Sequence, residues 1–117
     1  MTRLAAALAL TAALATAQAH AADPVRGRHL AIEACAACHK VVARQAQPAP
    51  VVDPDSKDSV LAPTFFIIAR KFAPAAAGLR AFILAPTHPM REQTFAPRDI
   101  SDIVAYIRSL RRTARRF

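Results

Sequence analysis

Cys35-Ala36-Ala37-Cys38-His39 contains both cysteines of this 117-residue chain. Its reading decides the fold. Two thiols three residues apart, with a histidine directly after the second, form the attachment pattern for c-type haem. On a helix, positions 35 and 38 lie on one face about one turn apart. Both sulfurs can then add to the two vinyl groups on one porphyrin edge, while His39 offers its imidazole to the iron. A covalent haem held this way is most often an electron carrier.

Other uses of the same residues fit the rest of the sequence less well. A redox Cys-x-x-Cys pair belongs on a helix that follows a strand in a βαβ context, and nothing strand-like precedes Cys35. A structural zinc site needs four ligands, usually from two separated clusters. The remaining candidates here are the isolated His20, His29 and His88. A disulfide across so short a loop would be strained.

Upstream, Met1-Thr2-Arg3 supplies one positive charge, and Leu4 to Ala19 is uncharged and rich in Ala and Leu. That run is shorter than the roughly 20 residues a membrane span needs. Ala17-Gln18-Ala19 and Ala19-His20-Ala21 both fit small-x-small cleavage. Residues 1–19 are therefore expected to be a secretory signal peptide, with cleavage as late as residue 21. Export to the bacterial periplasm suits a covalent haem. The mature chain reads as a single domain, 23–117. A domain this small gains from an extra staple, which haem would supply. Tryptophan is absent, and two glycines against nine prolines suit short helices joined by stiff turns.

Asp23-Pro24 reads as a helix start, Asp as N-cap and Pro at the first helical position, with the helix running to about Cys38. Residues 45–58, with Pro48, Pro50 and Pro54, are expected to be a surface loop without a regular element or core contribution. Pro63 to Ala69 opens a short apolar helix broken by Pro74, and Ala75 to Leu84 forms another, ended by Pro86. Thr87 to Ala96 is a second loop. Pro97 starts the last helix, where Ile100, Ile103, Val104, Ile107 and Leu110 form an apolar stripe at helical spacing. Asp99 and Asp102 in its first turn and Arg108, Arg111 and Arg112 toward its end complement the helix dipole.

With these features in place the chain resembles a class I cytochrome c over nearly all of its mature length. Gly27, eight residues before Cys35, matches the small residue at the crossing of that family's first and last helices. Asp102-Ile103-Val104-Ala105-Tyr106-Ile107 is similar to its terminal-helix signature, with Tyr106 as the aromatic at the crossing. Ala62-Pro63-Thr64 resembles the segment whose proline carbonyl accepts a hydrogen bond from the ligating histidine; a turn-setting role for Pro63 is the alternative. Pro89-Met90 resembles the loop that carries a methionine ligand. The resemblance implies an all-α fold of three to five short helices around one haem, the terminal helices crossing. The family often has a large residue four positions after the glycine. Here that position is Ala31, and Leu30 or Phe82 is expected to fill the gap.

Met90 is the only methionine besides Met1. It lies on a loop long enough to reach the haem face opposite His39, so His39 and Met90 are the expected axial ligands. Thioether ligation raises the potential. His88 is the alternative sixth ligand, and His20 and His29 read as surface residues. With both axial positions filled, the iron would pass electrons without making bonds. Phe65, Phe66, Ile67, Ile68 and Leu84 are expected to wall the haem from water. A periplasmic shuttle, expected to be monomeric, is the leading reading. A haem subunit of a dehydrogenase or oxidase, and an open-iron haem protein, are the alternatives.

The formal net charge is +8, with a basic run in residues 111–117. A solvated face is one reading of it, steering toward acidic redox partners another, and anionic lipid headgroups a third. An exported chain without interleaved aromatics is not expected to bind nucleic acid.

Overall fold

The computed structural model describes residues 20–72 and 75–113. The expected signal peptide and the last residues of the basic run lie outside the described residues. Four helices form among the described residues: α1 (Pro24–Cys35), α2 (Phe65–Lys71), α3 (Ala76–Leu84) and α4 (Pro97–Thr113). Among the described residues, no helix is long and apolar enough to cross a membrane.

Local chemistry sets the helix starts. Asp23 Oδ1 accepts from the amides of Val25 and Arg26 at 2.8 and 3.2 Å, and Pro24 supplies a preset first residue. Thr64 Oγ1 caps α2 by accepting from Ile67 N–H at 3.2 Å. Asp99 reaches back from the first turn of α4 to accept from Ala96 N–H at 3.2 Å, half of a capping box.

The terminal helices α1 and α4 pack directly on one another, and Gly27 is where they meet. A Cβ built there would sit 1.9 Å from the carbonyl oxygen of Asp102, so only glycine allows this approach. Beside it Asp102 is buried, at 1 % exposure. Its Oδ1 accepts from Asp23 N–H at 2.8 Å and its Oδ2 from Arg26 Nη1 at 2.5 Å. Arg26 Nη2 also donates to Asp99 at 2.5 Å. The Asp23 amide first, then the Arg26 guanidinium, hold the Asp102 carboxyl below its usual range. The two acids whose local reading is as dipole partners thus bridge the crossing.

The core lies between the stripe of α4 and the faces of α1, α2 and α3. Ile103 and Ile107 are almost fully buried, with Ala31, Val41, Phe65 and Leu79 packed around them. Leu30 packs against this core beside Ala31, as expected of a gap-filler. Phe82 does not: it is 40 % exposed, lines a cavity bordered by α2, α3 and α4, and tilts its ring against Phe72, centroids 6.4 Å apart.

The segment 45–58 departs from expectation. Val51–Val52 (β1) pairs antiparallel with Ser59–Val60 (β2), with Val51 opposite Val60. Pro50 and Pro54 flank the two-residue strand without lying in its ladder, so they do not forbid it. Asp53 nucleates the turn, its Oδ1 accepting from the amides of Asp55 and Ser56 at 2.8 and 3.0 Å. No residue of 45–58 is buried.

Candidate haem cavity

The helix ends earlier than the sequence suggests, and the side chain that ends it explains why. In a continuing helix the Ala36 carbonyl would accept from Lys40 N–H. Instead it accepts from Gln45 Nε2 at 2.9 Å. α1 stops at Cys35, and Ala36–Cys38 is a turn in which Cys38 N–H and His39 N–H both donate to the Cys35 carbonyl, at 3.2 and 2.9 Å. The two cysteines therefore do not share the face of one continuous helix.

Both nonetheless line one cavity of about 670 Å³, together with His39, Pro63 and Met90. Its walls are apolar: Phe65 and Ile68 of α2, Leu79 and Ile83 of α3, Ile103 and Ile107 of α4. Val51 and Val60 add the hairpin as a further wall. Of the residues expected to exclude water, Phe65, Ile67 and Ile68 line the space. Phe66 packs against the core, and Leu84 is 59 % exposed. Neither is among the lining residues; the phase of α3 presents Leu79 and Ile83 instead, and Leu84 falls on its outer side.

His39 is positioned through its ring. Nδ1 lies 2.7 Å from the Pro63 carbonyl oxygen. Because the carbonyl only accepts, Nδ1 carries the proton, and the Nε2 lone pair is left for a metal. The Phe65 ring tilts against the imidazole at 5.6 Å between centroids. Tyr106 follows at 6.4 Å from Phe65 and donates its hydroxyl to the Val41 carbonyl at 2.6 Å. Its buried hydroxyl secures the stretch of chain just after His39.

Cys35 and Cys38 carry free thiols. Burial, then the neighbouring Cys38, pushes the Cys35 thiol up to about 11, so it stays protonated at neutral pH. A protonated, part-buried thiol is a poor partner for disulfide exchange, in which the thiolate is the nucleophile. Among the described residues no three His, Cys, Asp or Glu side chains converge on a metal-sized point.

Met90, also in the cavity wall, sits part-buried in the turn closed by its own N–H to the Thr87 carbonyl at 3.1 Å. Gln93 Nε2 ties this loop to the end of α1, donating to the Ala34 carbonyl at 2.9 Å. His88 also borders the cavity, but its ring is 60 % exposed and its Nδ1 pairs with Asp55 Oδ2 at 2.8 Å. His29 and His20 are exposed and do not line it. The two glutamines carry no periodic or motif signal that would have marked them from sequence.

A small all-α architecture with its terminal helices crossed, and two thiols and an imidazole facing one apolar cleft, defines a narrow class of proteins. Residues 24–111 match the family model Cytochrome c, and the chain belongs to that family. Neither the curated proteins nor the solved structures gave a match. Membership brings a haem-based electron-transfer role, and the spacing of Cys35 and Cys38 is consistent with the family's haem c. The residues present fit that group: two thiols, an imidazole with Nε2 free, and an apolar cleft of the size ligand sites require.

Proposed function

We propose that this protein carries one haem c, bound through Cys35 and Cys38 with His39 and Met90 as axial ligands, and moves single electrons between redox proteins in the periplasm. The observation that carries the reading is the His39 Nδ1 to Pro63 carbonyl bond at 2.7 Å. It fixes the tautomer and aim of an imidazole that shares its cavity with both thiols and Met90. Met90 is favoured over His88 because it is part-buried in the cavity wall, whereas the His88 side chain is 60 % exposed.

Haem, when bound, supplies a reversible one-electron couple. The chain's own residues do the rest. Pro63 strengthens the donor character of His39 through its hydrogen bond. The α2, α3 and α4 walls keep water from the cleft, which disfavours the more highly charged oxidised state. Lys71 and Arg91, both exposed, stand at the rim of the cavity. With a net charge of +8, they suit brief docking of an acidic partner near the haem edge.

The test is the optical spectrum of protein expressed with haem-attachment machinery, oxidised and reduced. Haem bands that survive denaturing electrophoresis, with a near-infrared methionine–iron charge-transfer band, are expected. A colourless protein refutes the haem reading. Haem bands without the near-infrared feature refute Met90 as ligand.

A further inference from the structure

Three successive carbonyls, beginning at His39, are each held by a different part of the molecule. The Val41 carbonyl accepts from the Tyr106 hydroxyl of α4 at 2.6 Å. The Lys40 carbonyl accepts from Phe65 N–H of α2 at 3.0 Å. The His39 carbonyl accepts from the side chain of Gln45 at 2.9 Å. The first two contacts belong to the helical frame; the third comes from a residue in a proline-rich loop.

Gln45 does more than hold one carbonyl. The other hydrogen of the same Nε2 goes to the Ala36 carbonyl at 2.9 Å, and Oε1 accepts from Val41 N–H at 2.8 Å. Both donors of the amide and one acceptor position are used. Val41 itself is 0 % exposed, so its amide has no water to fall back on. One side chain thus closes the main chain from Ala36 to Val41 into a ring around itself. His39 sits inside that ring, held at its ring nitrogen by Pro63 and at its backbone by Gln45.

We propose that Gln45 is a positioning residue for the axial imidazole. It ends α1 at Cys35, fixes the turn that presents Cys35 and Cys38 to the cavity, and sets the main-chain geometry from which His39 projects. The inference rests on the haem reading above. The Pro63 bond restrains the ring at one atom and leaves the main chain that carries it to other contacts. Gln45 supplies those, fixing the backbone from which the side chain departs. Its chemistry is specific: glutamate keeps the acceptor for Val41 N–H but turns lone pairs toward two carbonyls, and methionine keeps the length with no strong hydrogen bonding.

The experiment compares wild-type, Q45E and Q45M holoproteins by amide exchange at Val41, by ferric electron paramagnetic resonance, and by reduction potential. All are measured where far-UV circular dichroism shows them folded. Exchange at Val41 should accelerate by roughly fivefold for the bond lost in Q45M. The ferric g-values and the potential should shift in both variants, and further in Q45E. A lower melting temperature with unchanged g-values and potential would make Gln45 a packing residue and overturn the proposal. Should Q45E and Q45M fail to fold, Q45N decides by the same spectroscopic comparison, because its shorter amide cannot span all three partners. A wild-type protein without covalent haem would bring down the haem reading itself. Loaded wild type with spectroscopically identical variants would bring down this inference alone.

Discussion

Gly27→Ala is the sharpest probe of how the two ends of the chain meet. The added Cβ would lie 1.9 Å from the Asp102 carbonyl oxygen, 2.4 Å from its carbon and 2.9 Å from Ile103 N, whereas ordinary contact begins near 3.4 Å. All three atoms are backbone, so no side chain can rotate away. The helices must separate by roughly 1.5 Å, and close-packed interiors do not absorb that freely. Overpacking of this kind costs about 1–3 kcal/mol or more. The Asp23 N–H bond to Asp102, stretched by the same movement, adds about 1 kcal/mol. Ala is the better helix former by about 1 kcal/mol, which offsets part of the loss. The net expectation is a destabilisation of about 1–3 kcal/mol, a large share of a small domain's stability. Guanidinium unfolding of the holoprotein, followed by far-UV circular dichroism, reads this directly. A G27A variant within about 0.5 kcal/mol of wild type would mean that the crossing is looser than the 1.9 Å approach requires.

Other outcomes can be checked separately. Asp102 is held below its usual range by the Asp23 amide and Arg26, so its contribution is fully present above the ordinary aspartate value of about 3.9. It is lost as pH falls through the lower folded-state value; acid titrations should show a shallower acid limb in D102N, and an unchanged limb would remove Asp102 from the acid response. Y106F leaves the Val41 carbonyl without its partner. It should cost about 1–3 kcal/mol in chemical denaturation, and a silent substitution would show that water replaces the hydroxyl. M90A should lower the reduction potential and let carbon monoxide bind the ferrous protein, whereas an unchanged potential would transfer the sixth position to His88. Replacing Lys71 and Arg91 should slow electron exchange with an acidic partner mainly at low salt, where charges are least screened. A loss independent of salt would point to contact packing instead.

The helix starts and the cysteine–histidine pattern are legible in the sequence because their signals are local, although the pattern reads as helix and folds as a turn. Asp23-Pro24, the α4 stripe from Ile100 to Leu110 and the prolines between segments each act within a few residues, and the structure places helices where they indicate. Gly27 and Tyr106 are readable through family resemblance. Contacts between distant residues leave no such mark. Gln45 ends α1 by taking a carbonyl from nine residues upstream, and nothing in its own neighbourhood singles it out. Arg26 bridges to Asp99 and Asp102 across more than seventy positions, although both acids have an adequate local reading as dipole partners. Leu84 and Phe82 lie elsewhere than expected because α3 is short and apolar on several sides, so its phase is set by docking against α4. The two-residue hairpin is hidden because prolines beside a ladder look much like prolines within it.

The crossing of α1 and α4 also orders events in time. Its first hydrogen bond spans 79 residues, and a polypeptide is made from its N-terminus. When α1 emerges with the two thiols at its end, the surface that must cover it does not yet exist. Closure waits for the final helix. Throughout that interval Cys35 and Cys38 belong to an open chain. The partial burial of Cys35 comes only as later segments pack, so the topology leaves both thiols within reach until the chain closes.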